Sequence, residues 1–182
     1  MPNGPPSATE RTKVRRKADR GRYDRKTIVA ILDEAIVCHV GFSVEGLPWV
    51  FPTAFARIGD NLYLHGAVAN FALKALTAGA EACVSVTLLD GLVLARSAFH
   101  HSLNYRSVMV FGFAEAVTDD AEKRAALLAI VEHMVPGRSN ATRPPTASEL
   151  RSTLVVRIAI DEASAKVRTG GPIDEAVDYD LP

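Results

Sequence analysis

The segment from His65 to Phe71 combines residue types that could bind an anion. His65-Gly66-Ala67 ends an extended run, and Asn70-Phe71 opens a stretch with apolar residues at helical spacing. Where a strand leads into a helix, the first backbone N–H groups and the helix dipole both favour a negative charge. Two interpretations fit this pattern, an anion site and an ordinary strand-to-helix connection.

The other histidines and the two cysteines give weaker indications. His39 lies in an apolar strand, which is typical of a core histidine with satisfied hydrogen bonds. No carboxylate or cysteine cluster accompanies the adjacent His100 and His101, so we expect no metal site. Cys38 and Cys83 lie in apolar runs without CxxC spacing, which predicts reduced, buried thiols.

Several familiar enzyme motifs are missing from the sequence. There is no GxSxG elbow, which argues against a hydrolase of that type. There is also no GxGxxG fingerprint and no Walker loop, so a Rossmann or P-loop nucleotide site is not expected. The chemistry must therefore come from residues that the fold brings together.

Short strands joined by turns dominate the pattern around these residues. Val50 to Arg57, the turn at Gly59-Asp60 and the run to His65 predict a meander of antiparallel strands. Helices are predicted after Asp24, after Asn70 and over Ala121–Val135, and further strands over Ala35–Val44, Ala82–Leu89, Tyr105–Val117, Ser152–Ile160 and Ala163–Arg168. Asp90-Gly91 is predicted as a hairpin turn and Gly112 as a bend or bulge. About six or seven strands with three helices favour an antiparallel barrel over a doubly wound sheet.

Length and composition predict one globular domain with a real core. The chain has 182 residues, of which 48% are hydrophobic, and its formal net charge is zero. No apolar run approaches the roughly 20 residues that cross a bilayer, and no signal peptide precedes the fold. We therefore expect a cytoplasmic protein with no membrane partner.

The charge is distributed unevenly along the chain. Nine of the 21 basic residues lie between Arg11 and Lys26. This segment has one aromatic residue, Tyr23, and no recognition motif, so we expect no nucleic-acid partner. We predict a flexible basic arm over residues 1–22 that is free to lie along a neighbouring subunit, a barrel domain over 23–170 and an acidic tail over 171–182.

Three stretches of the sequence resemble the pyridoxamine 5′-phosphate oxidase-related family of flavin-nucleotide-binding proteins. They are LYLHGA, VTLLDGLVLARSAFHHSLNYRSVMVFG and SAKVRTGGP. The resemblance extends from about Tyr23 to Asp178 and includes nitroimidazole-resistance proteins. It implies a mainly β fold, a six-stranded antiparallel FMN-binding split barrel with inserted helices. It also implies a homodimer with two FMN sites at the subunit interface.

The resemblance further implies which residues contact the flavin. They are Val50, Phe51, Pro52, Thr53, His65, Gly66, Ala67, Asn70, Phe71, Lys74, Arg106 and Ser107. Val50 to Thr53 would run beside the ring, and His65 to Ala67 would lie next to the ring and the ribityl chain. The turn at Asn70-Phe71 would hold the phosphate. Arg106 and Ser107 would approach from the long strand.

The phosphate turn departs from the family pattern. Related oxidases have basic residues there, whereas this chain has Asn70 and Phe71, and a neutral donor makes weaker hydrogen bonds than a charged one. Lys74 and Arg57 are the nearest cations in the sequence. Two basic residues near the C-terminus, Lys166 and Arg168, match a stretch that could cover the site.

We therefore expect an FMN-dependent oxidoreductase that acts on a small molecule. His65 is the candidate for a hydrogen-bond donor or acid near the flavin ring. Two alternatives remain open, a non-catalytic flavin-binding protein and a barrel that binds haem or another flavin. Pyridoxamine phosphate oxidase activity itself is not expected. The residues that would bind the substrate phosphate are not recognisable, and Trp49 is the only tryptophan.

Overall fold

The computed structural model describes residues 9–180, which form nine strands and four α-helices. In chain order these elements are β1 (Gly21–Arg22), α1 (Arg25–Glu34), β2 (Val37–Val44), β3 (Leu47–Ala54), β4 (Ala56–Ile58), β5 (Asn61–Ala67), α2 (Phe71–Thr77), β6 (Glu81–Val93), β7 (Ser102–Ala116), α3 (Asp120–Met134), α4 (Ala147–Ser152), β8 (Thr153–Ala159) and β9 (Glu162–Arg168). Seven strands have seven residues or more, whereas β1 and β4 have two and three. The described chain thus has more strands than the six that the resemblance implied.

All pairings among the nine strands of residues 9–180 are antiparallel. The order of the strands is β3-β2-β6-β7-β8-β5-β4, and β9 pairs with both β7 and β1. This arrangement confirms the predicted mainly β fold with inserted helices. The core lies between the sheet and the helices, and includes Leu32 of α1, Leu64 of β5, Leu76 of α2 and Val110 of β7.

The long strand β7 changes partner at Gly112. Tyr105 to Phe111 pair with β9, and pairing with β8 begins at Ala114. A Cβ atom at Gly112 would lie 3.3 Å from Cγ2 of Ile158, closer than most such contacts. The bend predicted at Gly112 therefore lies where the strand passes from one part of the sheet to the next.

Side-chain caps fix the starts of all four described α-helices, including α4, where Thr146 is the N-cap. The carboxylates of Asp24 and Asp119 accept hydrogen bonds from the backbone N–H groups of Thr27 and Glu122, as expected for N-cap residues. The predicted starts of α1 and α3 are thus confirmed. In α2 the N-cap is Asn70.

The predicted hairpin turn at Asp90-Gly91 is wrong. Strand β6 continues to Val93, and its pairing with β7 only shifts register between Leu89 and Gly91. The dipeptide therefore forms an irregularity within the strand rather than its end. Pairing with β7 on both sides of Asp90 holds the chain extended there, and the connection falls at residues 94–101.

The prediction that His39 is a core histidine is also wrong. Along β2, Cys38 and Val40 are buried, whereas Val37 and His39 are exposed. Successive side chains of a strand point to opposite faces, so His39 shares the outer face with Val37. Cys38 is a free, buried thiol whose pKa is raised to about 12 by burial, and Cys83 is free and half-buried.

The described part of the basic arm lies on its own chain. Thr12 is buried, the backbone N–H of Val14 donates to the Tyr23 hydroxyl at 2.8 Å, and β1 pairs with β9. Residues 1–8 of the predicted arm and residues 181–182 of the predicted tail fall outside the described range. No helix within residues 9–180 has both the length and the apolar character needed to span a membrane.

Candidate functional site

The strand-to-helix step predicted at His65 to Phe71 is present. Strand β5 ends at Ala67, the Asn70 N–H donates to the Ala67 carbonyl at 2.8 Å, and α2 begins at Phe71. The Asn70 Oδ1 atom accepts from the Leu73 N–H at 3.0 Å. Because that oxygen already caps α2, Asn70 has only its amide nitrogen left to donate to a ligand.

Gly66, near the end of β5, allows this strand to pack closely against α2. A Cβ atom at Gly66 would lie 2.9 Å from Cδ1 of Leu73, which is fully buried, and 3.4 Å from the Asn70 side-chain nitrogen. Real Cβ atoms essentially never approach another atom as closely as the 2.9 Å to Leu73, so that side chain would have to shift. Gly66 therefore lets β5 and α2 pack in direct contact.

The two cations considered for the phosphate turn are placed differently. Arg57 donates to both carboxylate oxygens of Asp33 at 2.7 Å and to the Gly59 carbonyl at 2.6 Å, so its hydrogen-bonding capacity is largely used. Lys74 is exposed and lies in the last turn of the seven-residue helix α2. The described structure thus brings no free cation to the start of α2 from these two positions.

The four predicted ring contacts, Val50 to Thr53, lie on a terminal strand. Within residues 9–180, β3 pairs only with β2, so its other edge presents backbone groups to a ligand or partner. Trp49 of β3 and Phe71 of α2 have ring centroids 5.2 Å apart, and Phe42 lies 6.3 Å from Phe71. Trp49, which precedes the predicted ring segment, and Phe71 of the predicted phosphate segment therefore belong to one aromatic surface.

Arg106 and Ser107 have other partners in the described chain. Arg106 pairs with Glu34 at 2.5 Å and with Asp90 at 2.7 Å. The Ser107 hydroxyl donates to the Lys166 carbonyl at 3.4 Å. No hydrogen bond or ion pair within residues 9–180 joins Arg106 or Ser107 to the candidates on β3, β5 and α2.

A cavity of about 610 Å³ lies beside His65. Its apolar wall comes from α3, through Leu127, Leu128, Ile130, Val131 and Met134, and its polar rim includes Arg138, Thr142, Arg143, Glu149 and Thr153. Cavities of this size, mostly apolar with a few convergent polar groups, are typical ligand sites.

His65 is neutral and incompletely hydrogen-bonded in this cavity. Its Nδ1 atom is buried and has no hydrogen-bond partner among the described residues. Burial lowers the pKa of His65, so the imidazole keeps a lone pair available to a ligand at neutral pH.

The sequence indicated His65 but not the cavity, because the opposite wall lies more than 60 positions further along the chain. One signal was present. Helix α3 buries Ala126 and Ile130 in the core, yet it carries additional apolar residues at Leu127, Leu128 and Val131. A helix with more apolar surface than one core face requires has a second apolar contact to make.

Comparison with protein families gives one match over most of the chain. The family model described as pyridoxamine 5′-phosphate oxidase matches residues 24–167. No curated protein matches this chain.

Solved structures provide closer similarities. The chain is 45% identical to the flavocytochrome Anf3 from Azotobacter vinelandii, over 97% of this chain and 83% of that one, with a TM-score of 0.88. It is 40% identical to an FAD- and haem-binding protein from Mycobacterium smegmatis, over 88% and 78% of the two chains, with a TM-score of 0.83. A Bacteroides thetaiotaomicron protein assigned to 5-nitroimidazole antibiotic resistance is 28% identical over 81% and 86%, with a TM-score of 0.68.

Proposed function

The chain belongs to the pyridoxamine 5′-phosphate oxidase family, and we propose that it is a redox protein that binds a flavin nucleotide and haem. Two observations support this proposal. The relatives that are 45% and 40% identical are a flavocytochrome and an FAD- and haem-binding protein. The cavity beside the neutral His65 carries the proposal, because it is a site for a large apolar ligand with an imidazole in its wall.

The residues around His65 fit haem. An imidazole nitrogen is a common axial ligand of haem iron, and the apolar side chains of α3 suit the faces of the macrocycle. Arg138 at the rim has no side-chain hydrogen bond or ion pair within the described residues, so it is available to a propionate. Arg143 is held by Glu149 at 2.6 Å. Bound haem would supply one-electron chemistry, and the chain would supply the ligand, the water-excluding wall and the rim charge.

The flavin site proposed is the surface of β3, the end of β5 and the start of α2. The free edge of β3 offers backbone hydrogen bonds to the polar edge of a flavin ring, and Trp49 and Phe71 offer aromatic contacts beside it. A flavin bound there would carry electrons in pairs or singly, which suits exchange with a haem.

The choice between FMN and FAD rests on opposing observations. The sequence favours FMN, because it contains no second nucleotide-binding signature for an adenosine half. The relative that is 40% identical is described as binding FAD, and we therefore favour FAD. Chromatography of the flavin released from the purified protein by heat decides between them.

A second candidate function is non-catalytic flavin binding. Arg106 forms ion pairs with Glu34 and Asp90, and Arg57 forms one with Asp33. Two of the cations considered near the flavin therefore have other partners. Turnover with a reduced nicotinamide and an electron acceptor supports an oxidoreductase, whereas a bound but kinetically inert flavin supports the binding function.

An absorption spectrum of the purified protein tests the proposal directly. We expect flavin bands together with a Soret band, and His65→Ala should lose the Soret band while keeping the flavin bands. His39→Ala, which changes an exposed histidine outside the cavity, is the matched control and should keep both. A wild-type protein with neither chromophore after growth with added haem precursor contradicts the proposal, and so does an unchanged Soret band in His65→Ala.

A further inference from the structure

A second cavity, of about 250 Å³, lies between the basic arm and the outer faces of β7 and β9. Along β7 the side chains of Val108 and Val110 enter the core, so Ser107, Met109 and Phe111 face outward. Strand β9 adds Ser164 and Lys166 to this outer face, and the arm covers it with residues 11–16. We call this space the arm cavity.

The arm cavity is lined by more positive charge than its neighbours neutralise. Arg11 pairs with both Glu81 and Glu162 and lies 4.5 Å above the Phe111 ring. Lys13 and Arg15 share a single carboxylate, Glu10, at 4.0 and 3.5 Å.

Two further cations of the arm cavity are left without a partner. The side chains of Arg16 and Lys166 make no hydrogen bond or ion pair within residues 9–180. Arg16 is exposed and Lys166 is half-buried, and both line the same cavity. Like charges repel one another, and an anion that binds between them lowers that repulsion. The charge of the cavity therefore favours a negatively charged ligand.

A hydroxyl in the wall gives a second indication. Ser164 lines the arm cavity, and its hydroxyl makes no hydrogen bond to the described residues. Its oxygen remains accessible rather than buried, so it can hydrogen-bond to a ligand in the cavity. A ligand oxygen in the cavity would accept from Ser164.

We infer that the arm cavity binds a phosphate group. Phosphate oxygens accept hydrogen bonds from a guanidinium, an ammonium and a hydroxyl together, which are the groups that Arg16, Lys166 and Ser164 present. Met109 and Phe111 give the rest of the ligand an apolar surface. The ligand is therefore a phosphate ester rather than a free inorganic ion.

The phosphate has two possible sources. One is the flavin nucleotide itself, and this source rests on the proposed function. It would account for the missing cation in the turn at Asn70, and Ser107 belongs both to the predicted flavin contacts and to the arm cavity. The other source is a separate phosphate ester bound to the flavin-loaded protein.

Titration of the full-length chain with inorganic pyrophosphate, in the flavin-loaded and flavin-stripped forms, tests the site. Arg16→Ala and Lys166→Ala should each weaken binding about tenfold or more, as expected for loss of a charge-assisted contact. Ser164→Ala, which removes one hydroxyl without adding volume, should weaken it as well. Arg151→Ala and Lys26→Ala are matched controls, because both residues are exposed, have no described side-chain partner and lie outside the cavity.

Affinities for the flavin nucleotide and for riboflavin, which lacks the phosphate, separate the two sources. If the flavin supplies the phosphate, Arg16→Ala and Lys166→Ala weaken the nucleotide about tenfold and leave riboflavin unchanged. If another ester supplies the phosphate, Arg16→Ala and Lys166→Ala keep the wild-type affinity for the flavin nucleotide. The flavin-loaded forms of these two variants then lose pyrophosphate binding. Variants that match their controls in every titration overturn the inference. The proposed function fails separately, when the wild-type protein binds no flavin of any kind.

Discussion

At the scale of single residues, His65 is the side chain whose environment departs most from that of a surface histidine. It lies near the end of β5, lines the larger cavity and has a buried Nδ1 atom with no partner in the described chain. An imidazole in this position is destabilising for the folded chain unless a ligand uses it.

The lowered pKa of His65 predicts a pH dependence of stability. In the unfolded chain the imidazole becomes protonated below about pH 6.5, whereas burial delays protonation in the folded chain. The unfolded state then binds more protons, so the free energy of unfolding should fall as the pH decreases from about 6.5 through the lower folded pKa. Urea denaturation of the haem-free protein at a series of pH values measures this slope.

His65→Gln should reduce that slope, because glutamine does not titrate. His39→Gln serves as the control, since His39 is exposed on β2. An equal slope in His65→Gln and wild type would show that other groups cause the pH dependence.

At the scale of elements, the contact between β5 and α2 determines the shape of the candidate flavin site. Gly66 allows the close approach, and Asn70 fixes the start of the helix through its hydrogen bond to Leu73. Both residues therefore act on the site through the position of α2.

Gly66→Ala should destabilise the fold by about 1–3 kcal/mol, the usual cost of adding a methyl group to a packed contact. The reason is the 2.9 Å approach of the new Cβ atom to Leu73. Gly91→Ala is the matched control, because a Cβ atom there meets nothing within 4 Å and the backbone needs no positive φ. Equal unfolding midpoints for the two variants would refute this account of the contact.

Asn70→Ala should lower stability by about 0.5–2 kcal/mol, since it removes the side-chain cap of α2. Asn70→Asp keeps an acceptor for the Leu73 N–H and should restore most of the loss. Chemical denaturation of the three proteins measures the difference. Equal losses of stability in both variants would show that the loss does not come from the missing acceptor.

Lys74→Ala should leave affinity for the flavin nucleotide almost unchanged, because Lys74 is exposed in the last turn of α2 rather than near its start. Fluorescence titration with the nucleotide measures the affinity, and riboflavin provides the comparison without phosphate. A loss of about tenfold for the nucleotide alone would instead make Lys74 a phosphate ligand.

At the scale of the whole molecule, the surface of β3 and of the start of α2 carries exposed apolar side chains on both faces of the strand. They are Leu47, Trp49, Val50, Val68 and Phe71, with Trp49 beside Phe71 and Val50 on the opposite face of β3. Exposed apolar patches of this kind usually mark an interaction site. The same surface holds the candidate flavin site, which agrees with the homodimer that the family resemblance implies.

We predict that the protein sediments as a homodimer at micromolar concentration. Val50→Glu, at a side chain that is 70% exposed on β3, should shift it towards monomer, because a carboxylate at an apolar interface loses its hydration. Ile173→Glu is the control, with 72% exposure in the C-terminal tail outside this surface. A stable folded wild-type monomer at that concentration rules out the prediction.

The sequence by itself determined the features that depend on neighbouring residues. Asp24 and Asp119 mark helix starts because a cap needs only an acceptor three positions before an N–H group. The strand that ends at His65-Gly66-Ala67 and the family resemblance were readable for the same reason, since both rest on contiguous residues. Together they were sufficient to predict a mainly β split barrel.

Tertiary structure decided the features that depend on residues far apart in the chain. Pairing with β7 turned Asp90-Gly91 from a hairpin into an irregularity within β6, and the register of β2 placed His39 outside the core. The cavity beside His65 needs the apolar face of α3, and the arm cavity needs Arg11 to reach Glu162, 151 positions away. Such contacts are set by how strands and helices pack, because the free energy of packing is shared among many distant side chains rather than stored in a local pattern.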